Sequence, residues 1–310
     1  MAETSIKVNL NEEIISKSKG KEVKKFFKGF VYILPSLILF LIFVIYPFVK
    51  TIFQSFFLSN NLGQLTSFVG LENYIDLFKD TNYLKTVGTT FLYVVMVVPI
   101  TITIALMLAV ISNYKLKGMG IFKTIFSSTL GISVAAGSIF WSFMFHPTVG
   151  ILNKGINAVG GESVGWLTNP KVAIFAIAMV SIWMNIGFAY LVLIGGIKNI
   201  DSSFYESADI VGGGFWYKLR KITIPLLSPS LFFVLTISII NAFQTFGVID
   251  MLTKGGPSNT TTLMVYSLYK EAFVNFQYGR ATAQGVILFI IIFIVSRVQV
   301  KLTERLVTYQ

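Results

Sequence analysis

Residues 198–230 read KNIDSSFYESADIVGGGFWYKLRKITIPLLSPS, a charged stretch set between two long apolar runs. Ser203 and Glu206 have the spacing of a capping box, in which each side chain bonds the other's free backbone N–H. That spacing predicts a short helix from about Phe204 to Val211. Gly212-Gly213-Gly214 then breaks it, because glycine takes the positive φ that a sharp reversal needs. A second helical piece carries Trp216, Leu219, Arg220 and Lys221. Pro225 falls where a following long helix would begin, a position that proline tolerates. A helix–turn–helix between apolar runs has two readings. It either tidies its own backbone, or it offers a folded surface on which a soluble partner docks.

The rest of the chain decides what kind of protein carries this loop. Of 310 residues, 54% are hydrophobic and only 13% charged, with a mean hydropathy of +0.74. Soluble domains carry about 25% charged residues, so most of this chain must face lipid or other buried helices. Charge-free runs at 29–49, 86–114, 124–153, 172–197, 222–249 and 281–296 predict six membrane-spanning helices and an all-α integral membrane fold. The last run is short, but Arg297 can snorkel and Val298 to Val300 extend it. A seventh charge-free run, 51–71, is rich in amide, serine and glycine and reads as a loop.

Lys and Arg fall unevenly on the two sides of these spans. One side, which includes both termini and the 198–221 stretch, collects 17 against 8 on the other. The positive-inside rule therefore places both termini and that loop in the cytoplasm. The first run is longer than a signal-peptide core and is followed by Tyr46-Pro47-Phe48, so it reads as an uncleaved anchor. The expected organisation is a basic, membrane-surface tail at 1–28, a first helix at 29–49 and an extracytoplasmic loop at 50–85. A five-helix core follows at 86–303, containing the loop 198–224, and then a tail at 304–310. Within 50–85, Leu71, Tyr74, Ile75 and Phe78 share one face of a short amphipathic helix, expected to lie on the outer leaflet or on the bundle.

Several chemistries are excluded. The chain has no cysteine and one histidine, His146, so thiol catalysis, iron–sulfur clusters and multi-histidine metal sites are out. No catalytic residues and no metal ligands are assigned. The net charge of +11 reads as topology and attraction to anionic lipid, not as nucleic-acid binding. No G-x-x-x-x-G-K-[ST] occurs, so this chain holds no phosphate-gripping loop of its own and any nucleotide power must come through a partner.

Glu206-Ser207-Ala208, three residues, Gly212, nine residues, then Ile222-Thr223-Ile224-Pro225 resembles the EAA loop. That loop marks the membrane subunits of binding-protein-dependent ATP-binding-cassette importers. Ser207 and Ile224 depart mildly from its pattern, and the spacing is kept. Further similarity runs from about 30 to 305. Leu34-Pro35, Tyr46-Pro47, Phe68 to Tyr74, Gly150 to Asn153, Thr253 to Pro257 and Tyr269 to Phe273 resemble the first of the two permeases in carbohydrate importers. The resemblance implies the type I importer permease fold and a bacterial plasma-membrane location. It also implies a second homologous permease, two ATPase subunits that bind ATP and Mg, and an extracytoplasmic sugar-binding protein. It carries an ATPase-gripping role to Glu206 and a turn-shaping role to Gly212; Tyr205, Ala208 and Asp209 are candidates by adjacency.

Asp, Glu, Lys and Arg are missing from the five longer spans until Asp250, which weighs against strong charge selection and, with the docking loop, against the alternative of a secondary transporter or channel for a neutral solute. A membrane-embedded enzyme would need paired carboxylates at depth, and none is present. Neutral polar groups are more informative. Ser238, Asn241 and Thr245 lie at i, i+3 and i+7 with Gln244 beside them, and Trp183, Asn185 and Phe188 sit near the middle of the fourth run. Amides for hydroxyls and aromatic faces for sugar rings would suit a neutral carbohydrate. The competing reading is that these groups bond neighbouring helices. His146 reads as a structural interfacial residue.

Overall fold

The computed structural model describes residues 28–60, 62–114 and 117–303. The two tails of the expected organisation therefore lie outside the described residues, apart from Lys28. The chain divides into two units, one through Gln54 and one from Ser55 onward.

Among the described residues, the first unit is one helix, α1 (Lys28–Gln54). It contains a widened turn in which the Tyr46 N–H bonds the Leu41 carbonyl, five residues back. Pro47 explains the widening. It lacks an N–H, and its ring presses on the carbonyl four residues earlier. α1 outruns the expected 29–49 by a turn at its end.

The second unit opens with a hairpin, β1 (Phe57–Ser59) paired antiparallel with β2 (Leu65–Phe68). The stretch 51–71 is therefore not all loop. Helix α2 (Glu72–Lys79) follows. Its buried residues are Asn73 and Leu77, while Leu71, Ile75 and Phe78 are exposed. The reason is local: the Asn73 amide donates to the carbonyls of Ser55 at 2.9 Å and Phe57 at 3.0 Å. That polar anchor leaves Leu71, Ile75 and Phe78 facing outward, whereas Tyr74 is half-buried and its hydroxyl bonds Ser55 Oγ at 2.6 Å.

Helices α3 (Thr81–Ser112) and α7 (Ala173–Lys198) form the central pair, with the most extensive helix–helix contact in the fold. Asp80 caps α3, accepting from the Asn82 and Tyr83 N–H groups. Between them lie α4 (Met119–Ser128), α5 (Val134–Met144) and α6 (Ile151–Ala158). The single span expected over 124–153 is instead broken: the helical piece Met119–Gly131 and α5 are bent by 109°. Ser133 starts the new direction by accepting the Ala136 N–H at 3.2 Å, with Gly131 just before it. α7 closes on this bend through Gly187, where an added Cβ would stand 2.3 Å from Thr129 Oγ1. Small residues let membrane helices approach this closely. Gly187→Val is expected to destabilise the bundle by about 1–3 kcal/mol through overpacking, seen as a lower thermal midpoint of the detergent-purified chain.

After α7 come α8 (Ser202–Ile210), α9 (Phe215–Leu226) and α10 (Ser228–Phe243). α9 and α10 meet at 70°. Pro225 therefore ends α9 instead of opening the span, and α10 has its own early proline, Pro229. Another widened turn precedes Pro225, with the Ile224 N–H on the Leu219 carbonyl, the same accommodation as at Pro47. α11 (Gly247–Leu252), α12 (Met264–Tyr269) and α13 (Tyr278–Thr303) complete the unit. α13 runs through Arg297, as the snorkelling argument expected. Among the described residues four helices are long and apolar enough to cross a membrane, and the two bent pairs would bring the number to six.

His146 is exposed, and its Nδ1 accepts from the Thr148 and Val149 N–H groups at 3.3 and 3.4 Å. It shapes a turn before α6.

Candidate functional site

The loop 198–224 builds its own scaffold. α8 starts at Ser202, two residues ahead of the capping-box reading, because Asp201 takes the N-cap and accepts the Ser203 N–H at 2.9 Å. Asp is as good a cap as Ser. That hydrogen bond holds the Asp201 carboxyl below its ordinary range. The far end closes as expected and in more detail. Gly212 has φ +72°; its N–H bonds the Asp209 carbonyl at 3.0 Å, and the Gly213 N–H bonds the Ala208 carbonyl at 2.7 Å. These are the two bonds of a Schellman cap.

α8 has two faces. Ala208 is buried and Tyr205 half-buried; the Tyr205 hydroxyl bonds Thr223 Oγ1 at 3.1 Å. Tyr205 also lines a cavity of about 240 Å³ with Tyr114 at the end of α3 and with Phe215 and Leu219 of α9. Asp209 forms an ion pair with Lys218, tying α8 to α9. Glu206 points away from that side and is exposed, with Ile210 one turn on along the same face; Ile210 is 87% exposed, and Val211 at the helix end is 74% exposed. The five loop candidates thus separate into three that brace the loop inward, a turn glycine, and Glu206 pointing out. Thr223 and Lys218 were missed by sequence reasoning, since their partners lie 18 and 9 residues away at no helical period.

The second candidate site lies within the span. An open cavity of about 520 Å³ is lined from three sides, a size usual for small-ligand sites. α7 gives Ser181, Met184, Asn185 and Phe188, the α4–α5 bend gives Thr129 to Val134, and the end of α10 gives Asn241, Gln244 and Thr245. Five of the seven pathway candidates therefore share one cavity. Trp183 lies elsewhere, stacked on Phe140 with ring centroids 6.0 Å apart and edge-on to Trp141. Ser238 is half-buried one turn back along α10 and is not part of the lining.

The expected i, i+3, i+7 helical stripe needs one correction. α10 stops at Phe243, and Thr245 lies in the short link to α11. The break follows from tight packing of α11 on α5, where a Cβ on Gly247 would come within 2.8 Å of Val134. Thr245 keeps its place because its hydroxyl donates to the Asn241 carbonyl at 3.2 Å. Hydrogen bonding separates the polar groups further. The Asn185 amide is used within α7, donating to the Ser181 carbonyl at 2.7 Å. The buried Tyr93 hydroxyl donates to Ser181 Oγ at 2.6 Å. Asn241 and Gln244 are exposed at the cavity.

Lipid-length apolar helices packed around an open cavity that mixes amide, hydroxyl and apolar side chains suit a membrane permease. The sequence places the chain more narrowly. Residues 78–308 match the family described as binding-protein-dependent transport system inner membrane component, and the chain belongs to that family. It is 31% identical over 282 residues to the sn-glycerol-3-phosphate transport system permease protein UgpA of Yersinia pestis bv. Antiqua (strain Antiqua), covering 91% of this chain and 95% of that protein. The UgpA of Agrobacterium fabrum (strain C58 / ATCC 33970) is 30% identical over 283 residues, covering 90% and 96%. In fold the chain is similar to a crystal structure of a bacterial ABC transporter involved in the import of the acidic polysaccharide alginate. The TM-score is 0.78 at 22% identity, covering 92% of this chain and 98% of that one. The type I importer permease fold implied by the EAA resemblance is in keeping with that likeness. The family's role is translocation, not catalysis.

Proposed function

We propose that this chain is one permease subunit of an ATP-driven importer for a carbohydrate or related hydroxylated solute in a bacterial plasma membrane. It spans six times with both termini and the loop 198–224 in the cytoplasm; residues 86–303 form the transport core. A second homologous permease completes the pathway. Two ATPase subunits bind ATP and Mg, and an extracytoplasmic binding protein delivers solute. The relatives' names, a glycerol-phosphate permease and an alginate importer, support a hydroxylated cargo.

The mechanism is alternating access. Nucleotide-driven closure of the ATPase pair pushes on α8. The Asp209–Lys218 and Tyr205–Thr223 contacts make α8 and α9 one lever, and α9 joins α10 at the 70° bend. Motion of that lever tilts α10, whose far end carries Asn241 and Gln244 at the mid-span cavity.

The observation that carries this reading is the outward face of α8. A loop in water has no reason of its own to expose Ile210 one turn from the Glu206 carboxylate, with Phe204 and Val211 also exposed at the two ends of the helix; such patches mark interaction sites. Glu206→Ala is expected to lower recovery of the ATPase subunit in a pull-down by about fivefold or more, as loss of a charged hydrogen bond at an interface does. Undiminished recovery would count against the docking role.

A further inference from the structure

A second built cavity lies at the other end of the core. α3 has 32 residues, roughly 48 Å of helix, and its last turn meets the loop 198–224 at Tyr114. At its first turn a polar cavity of about 510 Å³ opens between α3, the 258–262 segment, the end of α12 and the start of α13. Its lining includes Lys85, Lys270 and Arg280 against Asp80 and Glu271. Arg280 is committed to both carboxylates, paired with Asp80 and with its Nε 3.7 Å from Glu271 Oε1. Lys85 and Lys270 make no ion pair among the described residues. The charged side chains of the lining therefore leave a net positive charge, carried by two ammonium groups outside these ion pairs.

Beneath these lysines the wall holds unspent hydrogen-bonding groups. Tyr83 and Gln284 both line the cavity and are each 2% exposed. The Tyr83 hydroxyl and Gln284 Oε1 have no hydrogen-bond partner among the described residues. Buried polar groups nearly always have partners, and an orphan needs an explanation. A ligand that enters and supplies the partner is one.

We propose that this cavity is a binding site for a small hydroxylated solute bearing an acidic group, phosphate or carboxylate. Lys85 and Lys270 take the acid, and Tyr83, Gln284 and Asn259 take hydroxyls. A docking protein would meet the lysines at the surface but would not reach Tyr83 or Gln284. Under the import function proposed above, on which only the direction of passage rests, the site holds solute before the mid-span cavity. The two cavities share no lining residue. Between them on α3, one turn beyond Thr86 and Thr89, stands Tyr93, fully buried and bonded to Ser181.

The test uses the assembled transporter in lipid nanodiscs without nucleotide, and glycerol phosphate, glucuronate, glucose and inorganic phosphate as probes, followed by saturation-transfer NMR and calorimetry. Both acids should bind, more tightly than glucose, and glycerol phosphate more tightly than inorganic phosphate. Lys85→Gln with Lys270→Gln should weaken both acids about tenfold or more, since charge-assisted hydrogen bonds are lost. Tyr83→Phe should weaken them less, and the distant charge control Lys154→Gln not at all. Absence of saturable acid binding, or equal binding by the double variant, overturns the proposal. So does a double variant that keeps acid binding but loses capture of the delivery protein, which would make the cavity a docking socket. Solute uptake by the unmodified transporter is measured in parallel. Its absence sinks the importer reading, whereas intact uptake with unaltered acid binding in the double variant sinks this site alone.

Discussion

Gly212→Val is expected to cut solute uptake about tenfold or more while the chain still inserts and assembles. The argument is conformational. Gly212 sits at φ +72°, in the left-handed region that a β-branched residue enters only at a cost of about 1–3 kcal/mol. A cost near 2 kcal/mol shifts the turn roughly thirtyfold against its closed form. Steric collision is not the cause, since an added Cβ meets nothing within 4 Å. Opening the turn would break the bonds from Gly212 and Gly213 to the Asp209 and Ala208 carbonyls and loosen α8 from α9. ATP hydrolysis by the partner should then continue without transport. Gly212→Asn is the matched control, because asparagine tolerates the left-handed region; it should retain most uptake. Wild-type transport by the valine variant would show that the turn does not transmit force.

Much of this was legible in the sequence, and the failures have specific causes. The apolar runs located every long helix, because span length is set by bilayer thickness and charge is costly inside it. They could not show that 124–153 and 222–249 are bent. Hydropathy carries no direction, and the bends depend on local events: Ser133 capping a new helix, and α9 ending just after Pro225. The stripe Leu71, Tyr74, Ile75, Phe78 left open whether it met lipid or the bundle, and it could not show that the Asn73 amide anchors the helix to the backbone of Ser55 and Phe57. Asp201 displaced Ser203 as the cap because either chemistry suffices and the helix starts two residues earlier, which leaves Ser203 inside its first turn. At Gly212-Gly213-Gly214 the sequence could not say how the glycines divide the work. Gly212 supplies the positive φ, whereas Gly213 supplies room, since a Cβ there would lie 2.8 Å from Tyr217 and 2.9 Å from the Ala208 carbonyl.

The pathway residues were the harder case, because a polar side chain in a membrane helix looks the same in sequence whether it bonds a neighbour or a passenger. Hydrogen bonding separates them. Asn185 donates to Ser181, one turn back on its own helix, and Thr245 to Asn241; both have structural work. Asn241 is exposed at the cavity, next to the equally exposed Gln244, and its amide can offer a donor and an acceptor to a hydroxyl. Asn241→Leu keeps the branching of the side chain at Cγ and improves helix propensity, and the position is exposed at the cavity, so the bundle should fold, as judged by a thermal midpoint no lower than wild type. Removing a group that hydrogen-bonds solute typically costs about 1–3 kcal/mol, or roughly five- to a hundredfold in uptake efficiency. The loss should be specific. Asn241→Gln should recover part of the transport, and among a panel of competing solutes those with fewer hydroxyls should lose least. Uptake kinetics and competition order identical to wild type would place Asn241 among the groups that merely face the bundle.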